Sequence, residues 1–329
     1  MNNICIVGSN SFSGASFAKF ALKQGANVVG ISRSKEANKP FLPYKWEEHS
    51  NFSFYSLDLN QNLKEIIALI NDLKPTHIVN FAAQSMVGES WLNPSDWFMT
   101  NVVSTINFHD NLRKCDFLKR YIHISTPEVY GSTSDNLQEN HNYSPSTPYA
   151  ASKLAGDLHL ITLYKRYDFP VIFTRSANVY GIHQQLYRII PRAIIYLKMK
   201  RKIQLHGNGK SERSFIHIRD VVNATLKIAE KGTDGDVYHI SPEGDDISIY
   251  AVVKVICEMM NHDFKTSVEL IDQNFGQDSK YSISSSKLRE ELNWRPKILL
   301  ETGIEEMINW IDNNWAEISK MPLEYIHKK

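Results

Sequence analysis

Residues 4–14 read Ile-Cys-Ile-Val-Gly-Ser-Asn-Ser-Phe-Ser-Gly, and they are the part of the chain that most clearly indicates its fold. Its first four residues form a short apolar run rich in β-branched side chains, which is typical of a parallel strand buried on both faces. A polar cluster follows, and then a helical pattern at 15–24 that Gly25 closes. Residues 28–31, Val-Val-Gly-Ile, repeat the pattern of a buried strand. Strand, turn, helix and strand within about 30 residues predict a βαβ unit.

The same alternation continues outward from this unit to about residue 178. Four more buried strands and three more helices are predicted there: strands at 52–55, 77–81, 121–125 and 171–174, and helices at 63–73, 94–114 and 149–167. Such alternation predicts an α/β fold, with a doubly wound parallel Rossmann sheet whose ligands lie at the carboxyl ends of its strands.

Beyond residue 178 the regular alternation is lost, and a smaller, mixed α/β domain is predicted. In this part of the chain a helix is expected at 220–230, with Asp220 near its N-cap. The chain of 329 residues exceeds the roughly 250–300 residues at which a single core usually stops growing. We therefore expect two interleaved domains: a Rossmann domain of residues 1–179 plus about 215–237, and a smaller domain of residues 180–214 plus 238–329.

The composition excludes several classes of partner. The chain carries 37 Lys and Arg against 36 Asp and Glu, a formal net charge of +1, which argues against nucleic acid or an anionic membrane surface. No apolar run approaches the roughly 20 residues of a membrane span, and the N-terminus lacks the positive region of a signal peptide, so we expect a cytoplasmic protein. Three scattered cysteines form neither a disulfide framework nor a ligand set, and no histidine spacing indicates a metal.

The turn after the first strand carries Gly8, Ser11 and Gly14 at the three positions of a G-x-x-G-x-x-G pattern. Glycine at such positions lets backbone N–H groups approach a pyrophosphate at a helix N-terminus. Ser11 replaces the middle glycine and degrades the pattern, so an ordinary βα turn is the alternative interpretation. The location, directly after the first strand and at the start of the first helix, favours dinucleotide binding.

The second strand ends at Ser32-Arg33, where an acidic residue would bind the adenosine ribose of NAD. A guanidinium and a hydroxyl have instead the right chemistry for a 2′-phosphate. The sequence therefore predicts NADP as the cofactor, with NAD as the alternative.

Tyr149 and Lys153 are four residues apart on one face of a predicted helix. A tyrosine with its usual pKa near 10 cannot act as a base at neutral pH. A neighbouring ammonium group and a cationic nicotinamide ring would each favour the phenolate and lower that pKa. Because Thr126 follows the end of a predicted strand, we expect Thr126, Tyr149 and Lys153 to lie together beside a nicotinamide.

Three further segments join these motifs. Residues 81–85 read Phe-Ala-Ala-Gln-Ser, residues 175–181 read Arg-Ser-Ala-Asn-Val-Tyr-Gly, and residues 213–220 read Arg-Ser-Phe-Ile-His-Ile-Arg-Asp. With them the chain resembles, over nearly its whole length, the nucleotide-sugar dehydratases and epimerases of the extended short-chain dehydrogenase/reductase superfamily. The resemblance implies cofactor contacts from Gly8, Ser11, Phe12, Ser13, Gly14, Ser32, Arg33, Asp58, Leu59, Phe81, Ala82, Ala83, Tyr149 and Lys153. It implies contacts to a nucleotide diphosphate sugar from Ser85, Asn178, Arg192 and Arg213.

Residues 125–131, Ser-Thr-Pro-Glu-Val-Tyr-Gly, indicate the subfamily. The dTDP-glucose 4,6-dehydratases carry an Asp-Glu pair here and the GDP-mannose 4,6-dehydratases a Ser-Glu pair, whereas simple 4-epimerases lack the glutamate. This chain keeps Glu128 but has Pro127, which cannot protonate a departing hydroxyl. The GDP-mannose enzymes suggest that one glutamate serves as both base and acid. Residues 275–281 resemble a stretch of the dTDP-glucose enzymes, so both substrate types stay open.

The resemblance therefore implies a 4,6-dehydratase with Thr126, Glu128, Tyr149 and Lys153 as its catalytic residues. A 4-epimerase or a decarboxylase of the same family is the nearest alternative, and a non-catalytic dinucleotide-binding protein is a more distant one. The predicted helices at 94–114 and 149–167 carry apolar residues on more than one face. Because related enzymes pair these helices across a dimer contact, we expect a homodimer.

Overall fold

The computed structural model describes residues 3–133, 136–244, 246–273 and 280–328. The strands there are β1 (Asn3–Val7), β2 (Asn27–Ser32), β3 (Phe52–Ser56), β4 (His77–Asn80), β5 (Arg120–Ile124), β6 (Val171–Ser176), β7 (Asn178–Tyr180), β8 (Ile203–His206), β9 (Glu212–Arg213), β10 (Phe215–His217), β11 (Val237–Ile240), β12 (Ile247–Ser248) and β13 (Val268–Ile271). The α-helices are α1 (Phe12–Lys23), α2 (Leu63–Leu73), α3 (Val87–Leu92), α4 (Pro94–Phe98), α5 (Thr105–Leu112), α6 (Pro148–Tyr167), α7 (Ile189–Lys198), α8 (Ile218–Lys231), α9 (Ile249–Met259), α10 (Phe264–Ser267), α11 (Ser286–Leu292), α12 (Leu300–Asn313) and α13 (Trp315–Ile318). Short 3₁₀ helices lie at Lys39–Phe41, Pro43–Lys45, Pro127–Tyr130 and Gly207–Gly209, and Met99–Ser104 is π-helical.

Seven strands form one parallel sheet in the order β11-β6-β5-β4-β1-β2-β3. Alternate residues of each strand face opposite apolar layers: Ile4 and Ile6 belong to one layer, and Cys5 and Val7 to the other. The strand order reverses between β1 and β4, which is the place where doubly wound sheets bind ligands. The predicted fold class is confirmed.

The predicted domain limit at residue 237 cuts through a strand of this sheet. β11 pairs with β6 along its whole length, so residues 238–240 belong to the Rossmann sheet and not to the second domain. All four residues of β11 are buried, like those of a central strand. The other boundaries remain a proposal, which a separate apolar cluster around α7, α9 and α12 supports.

The predicted capping role of Asp220 is wrong. α8 begins at Ile218, and the His217 ring accepts a hydrogen bond from the Arg219 backbone nitrogen. The Asp220 carboxylate instead accepts from the backbone nitrogens of Lys297 and Ile298, each at 3.1 Å. Asp220 therefore fastens the chain ahead of α12 to α8, a contact between residues far apart in sequence.

α6 is 20 residues long and carries four charged side chains, Lys153, Asp157, Lys165 and Arg166. In the part of the chain that the structure describes, no helix combines the length and the apolar character needed to cross a membrane.

Candidate active site

The turn between β1 and α1 requires glycine at two positions. Gly8 has a φ of +86°, and a Cβ there would lie 2.6 Å from the Ala82 nitrogen. A Cβ on Gly14 would lie 2.2 Å from the Gly8 carbonyl oxygen. The bare backbone therefore leaves room at the N-terminus of α1, and this cradle fits the pyrophosphate of a dinucleotide.

Ser11 stabilises this turn through its side-chain hydroxyl. Its φ of −72° is an ordinary value, so no glycine is needed. Its hydroxyl donates to the Gly8 carbonyl at 2.7 Å and accepts from the Gly14 nitrogen at 3.1 Å, which makes it the N-cap of α1. The departure from the glycine pattern at position 11 therefore does not disturb the turn, because the serine closes it and caps the helix that begins at Phe12.

A groove of about 650 Å³ follows the carboxyl ends of β1, β2 and β4. Ten of the residues expected to contact the cofactor line it: Gly8, Ser11, Phe12, Ser32, Arg33, Asp58, Leu59, Phe81, Ala82 and Ala83. Gly14 lies against the Gly8 carbonyl of the turn and does not line the groove, and Ser13 lines a neighbouring cleft. The groove thus brings the predicted cofactor residues of four segments together.

The Arg33 guanidinium contacts a distant part of the chain. Its Nη1 donates to the Lys328 carbonyl oxygen at 3.1 Å, and Gln84 Nε2 donates to the same oxygen at 2.7 Å. Several residues of the segment 321–328 form a wall of the groove. Arg33 therefore holds this wall, and the sequence-based assignment of Arg33 to a 2′-phosphate is not supported.

A second cavity, the cleft, has a volume of about 660 Å³ and joins the groove at Ser11, Phe12, Phe81 and Ala83. It brings together all eight residues expected to act on or bind the sugar nucleotide: Ser85, Thr126, Glu128, Tyr149, Lys153, Asn178, Arg192 and Arg213. The cleft therefore places the predicted catalytic residues directly beside the predicted cofactor groove.

Tyr149 occupies the first turn of α6 because Thr147 caps this helix, accepting from the Ala150 nitrogen at 3.1 Å. The buried phenol shares a hydrogen bond with Thr126. Burial raises the pKa of Tyr149 above its usual value and the Glu128 carboxylate raises it further, while the Thr126 hydrogen bond lowers it. The expected lowering of this pKa is therefore outweighed by burial, and the phenol needs an additional positive charge nearby to act as a base.

Lys153 lies one turn further along α6, and its Nζ donates to the Ile124 carbonyl at the end of β5 at 2.8 Å. Burial lowers the pKa of Lys153 from 10.5 to about 8, and the Asp157 carboxylate opposes this lowering. With a pKa of about 8, the side chain is mostly an ammonium ion at neutral pH, and it lies four residues from Tyr149 on the same face of α6.

Glu128 enters the cleft from the 3₁₀ helix Pro127–Tyr130. Thr126 caps this helix by accepting from the Glu128 nitrogen at 3.3 Å, and Pro127 takes the first helical position, where its missing N–H costs nothing. The proline is buried and therefore has a structural use. Since Pro127 has no acidic group, Glu128 is the carboxylate that this 3₁₀ helix presents to the cleft.

Asn101 was not predicted as a site residue, yet it positions the segment that separates groove and cleft. It lies in the π-helical segment, buried, and its Oδ1 accepts from the Gln84 nitrogen at 2.9 Å. Its Nδ2 donates to the Gln84 carbonyl and to Ser152 Oγ, both at 2.9 Å. Single π-helical turns occur frequently at functional sites, but no local sequence pattern marks one.

Tyr281 and Arg188 also line the cleft, although neither was assigned as a site residue from the sequence. The Tyr281 hydroxyl donates to Asn178 Oδ1, and the Arg213 guanidinium lies 4.7 Å from the Tyr281 ring centroid. Arg188 lines the same cleft as Tyr149, and its positive charge lowers the pKa of that phenol. The resemblance at 275–281 did point to this tyrosine, although residues 274–279 lie outside the described part of the chain.

Comparisons with known proteins agree with this geometry. The chain matches the family model described as GDP-mannose 4,6 dehydratase over residues 5–307. A dTDP-glucose 4,6-dehydratase of Haemophilus influenzae is 29% identical over 335 residues, covering 94% of this chain and 98% of that protein. The structure of the dTDP-glucose 4,6-dehydratase DesIV from Streptomyces venezuelae, with NAD bound, is 26% identical and superimposes with a TM-score of 0.87, covering 95% of this chain and 98% of that one.

An epimerase shares the fold as well. The structure of a UDP-glucose 4-epimerase from Thermotoga maritima, with UDP-glucose, superimposes with a TM-score of 0.86 at 22% identity and covers 96% of this chain and 100% of that one. The family model spans most of the chain, and it confirms the resemblance drawn from the motifs. The chain belongs to the GDP-mannose 4,6 dehydratase family, among the nucleotide-sugar dehydratases and epimerases of the short-chain dehydrogenase/reductase superfamily.

Proposed function

We propose that this protein is a NAD-dependent nucleotide-sugar 4,6-dehydratase, which converts a nucleotide diphosphate hexose into its 4-keto-6-deoxy derivative. The observation that carries the proposal is the placement of Glu128 in the same cleft as Tyr149, close enough to raise the pKa of the phenol. The resemblance assigns this glutamate to dehydratases, since simple 4-epimerases lack it. The family match and the Haemophilus influenzae relative support the same activity.

The first step is removal of the C4 hydroxyl proton by the Tyr149 phenolate. Thr126, which already shares a hydrogen bond with the phenol, holds the C4 oxygen beside it. The Lys153 ammonium ion stabilises the phenolate. Bound NAD supplies a positive ring and a hydride acceptor for C4, and later a hydride donor for C6, so the reaction is redox-neutral overall.

The second step is loss of water across C5 and C6. The 4-ketone acidifies the C5 proton, which the Glu128 carboxylate removes. Because Pro127 has no proton to give, protonated Glu128 serves as the acid for the departing C6 hydroxyl. At the end a hydride adds to C6 and a proton adds to C5. This proton balances the one that Tyr149 removed from the C4 hydroxyl.

Three arginines of the cleft, Arg188, Arg192 and Arg213, suit the diphosphate of the substrate. The test of the proposed function is incubation of the purified protein with GDP-mannose, dTDP-glucose, UDP-glucose and CDP-glucose, and with UDP-glucuronic acid, whose C6 carboxylate a decarboxylase would release. We expect a 4-keto-6-deoxy product from GDP-mannose or dTDP-glucose. An epimer that keeps its C6 hydroxyl, or release of carbon dioxide, would contradict the proposal in favour of an epimerase or a decarboxylase. Absence of turnover with every sugar would contradict it in favour of a non-catalytic dinucleotide-binding protein.

NAD is the proposed cofactor because Arg33 is engaged by Lys328 and the Streptomyces venezuelae structure was obtained with NAD. Replacing the exposed Arg33 by Ala removes one hydrogen bond to the groove wall, which is worth about 0.5–1.5 kcal/mol. We expect Arg33→Ala to weaken NAD and NADP binding alike, by no more than about tenfold. Calorimetric titration with both dinucleotides measures this, and a selective loss of NADP affinity would restore the assignment of Arg33 to a 2′-phosphate.

The proposed homodimer has a surface to form through. Val103 of the π-helical segment and Leu158 of α6 are 46% and 47% exposed, and these two elements pack side by side. We expect light scattering to give twice the chain mass of 37.8 kDa, and Leu158→Glu to shift the protein to the monomer by burying a charge at the contact.

The matched control for this dimer test is Leu270→Glu on β13, since Leu270 is 49% exposed elsewhere on the molecule. This variant should keep the mass of the parent. A monomeric parent protein at working concentration would refute the proposed dimer.

A further inference from the structure

One face of α6 binds the end of β5 through three residues spaced four apart. The pairs are Tyr149 with Thr126 through a shared hydrogen bond, Lys153 Nζ with the Ile124 carbonyl at 2.8 Å, and Asp157 Oδ2 with Ser125 Oγ at 2.7 Å. Two of these helix residues are the proposed catalytic pair. The third, Asp157, has no role in the reaction described so far.

Asp157 is completely buried and is surrounded by polar groups. Its Oδ2 also accepts from Arg175 Nη2 at 2.9 Å, and His123 Nε2 lies 3.2 Å from its Oδ1. The Arg175 guanidinium lies against the rings of Tyr130 and Tyr143, with centroid distances of 4.7 and 5.0 Å. The carboxylate is thus held rigidly behind the cleft rather than exposed within it.

The charged and titratable groups around Lys153 indicate how the Asp157 carboxylate affects this lysine. Two buried histidines that interact with Lys153, His109 and His123, have their pKa values lowered by burial and are neutral at pH 7. Tyr149 lies on the same face of α6. Among the described groups, Asp157 is the carboxylate that opposes the effect of burial on Lys153.

We propose that Asp157 is a positioning residue: its buried carboxylate keeps Lys153 in the ammonium form and fixes the Ser125–Thr126 end of β5 against α6. The inference rests on the proposed function only in the roles it gives to Lys153 and Thr126. It makes the charge state of the catalytic face depend on a side chain that touches neither substrate nor cofactor.

The test measures the titration of Lys153 directly. The protein is labelled with a trace of acetic anhydride at a series of pH values, and acetylation of Lys153 is followed by peptide mass spectrometry. Only the neutral amine reacts, so the labelling midpoint in the parent should lie near 8. In Asp157→Asn the midpoint should fall by about 1 pH unit or more, because an opposite charge nearby shifts a pKa by about 1–3 units.

Two further variants separate charge from structure. Ser125→Ala removes a hydrogen bond to Asp157 but keeps both charges, so its midpoint should stay near that of the parent. Asp157→Asn leaves the buried Arg175 without its carboxylate and can unfold the protein. The double variant Asp157→Asn with Arg175→Gln avoids this imbalance and should still show the lowered midpoint. A parental midpoint in the folded variants that lack the carboxylate would overturn the proposal.

The pH profile of nicotinamide reduction by substrate gives a second reading. Reduction needs the Lys153 ammonium ion and is lost as pH rises through the pKa of this group, so the alkaline limb should move to lower pH in Asp157→Asn. Labelling requires no turnover, and it therefore tests Asp157 even if no nucleotide sugar reacts. Conversely, an unchanged midpoint with active enzyme would remove the role of Asp157 and leave the proposed function standing.

Discussion

Glu128→Gln should stop the reaction after the first oxidation, with reduced nicotinamide accumulating on the enzyme. The amide cannot take the C5 proton, so no C5–C6 alkene forms to receive the hydride. We expect the 4-keto-6-deoxy product to form more slowly by a factor on the order of 10²–10⁴, the usual cost of losing a general base. Oxidation itself should be at least as fast as in the parent, because the Glu128 charge raises the pKa of Tyr149 and its removal favours the phenolate.

The measurement is a single-turnover experiment that follows nicotinamide absorbance, together with chromatography of the sugar nucleotides. Glu65→Gln on α2 is the matched control, because Glu65 lines neither the groove nor the cleft and its variant should behave as the parent. If Glu128→Gln made product at the parental rate, the assignment of the C5 base to this residue would be wrong.

Tyr149→Phe should abolish both steps, and no nicotinamide should be reduced. Without the phenolate nothing removes the C4 hydroxyl proton as the hydride leaves, so the loss in rate is on the order of 10²–10⁴ or more. The ring that packs at the start of α6 is retained and a single hydrogen bond to Thr126 is lost, which costs about 1 kcal/mol of stability. NAD binding should therefore be preserved while the reaction stops.

Absorbance of reduced nicotinamide and calorimetric titration with NAD measure these two expectations on the same sample. Tyr164→Phe is the matched control: it lies on the same helix, among the apolar residues of the sheet layer, and lines neither cavity. Nicotinamide reduction by Tyr149→Phe at a rate near that of the parent would show that another group removes the C4 proton.

Features that depend on local spacing could be predicted from the amino-acid order. The run at 4–14 predicted β1, the turn and α1, and the alternation up to residue 178 predicted the parallel sheet. Tyr149 and Lys153 were found because four residues along a helix return to the same face. Thr126 was expected beside them because it follows the end of a strand whose carboxyl end meets the ligand crevice. Glu128 was assigned only through the resemblance of residues 125–131 to the 4,6-dehydratases.

Features that join distant parts of the chain became visible only in the folded protein. β11 completes the sheet across the predicted domain limit, and Arg33 bonds the backbone of Lys328 rather than being kept for a phosphate. The contact of Asp157 with Ser125, 32 positions away, joins a helical aspartate to the end of β5, on the face of α6 that carries Tyr149 and Lys153. The periodicity of apolar residues indicates which face of a helix or strand is buried, but it does not indicate which charged side chains contact that face in the folded protein. Burial and partner together set the charge of a group such as Lys153, and both arise only when the chain is folded.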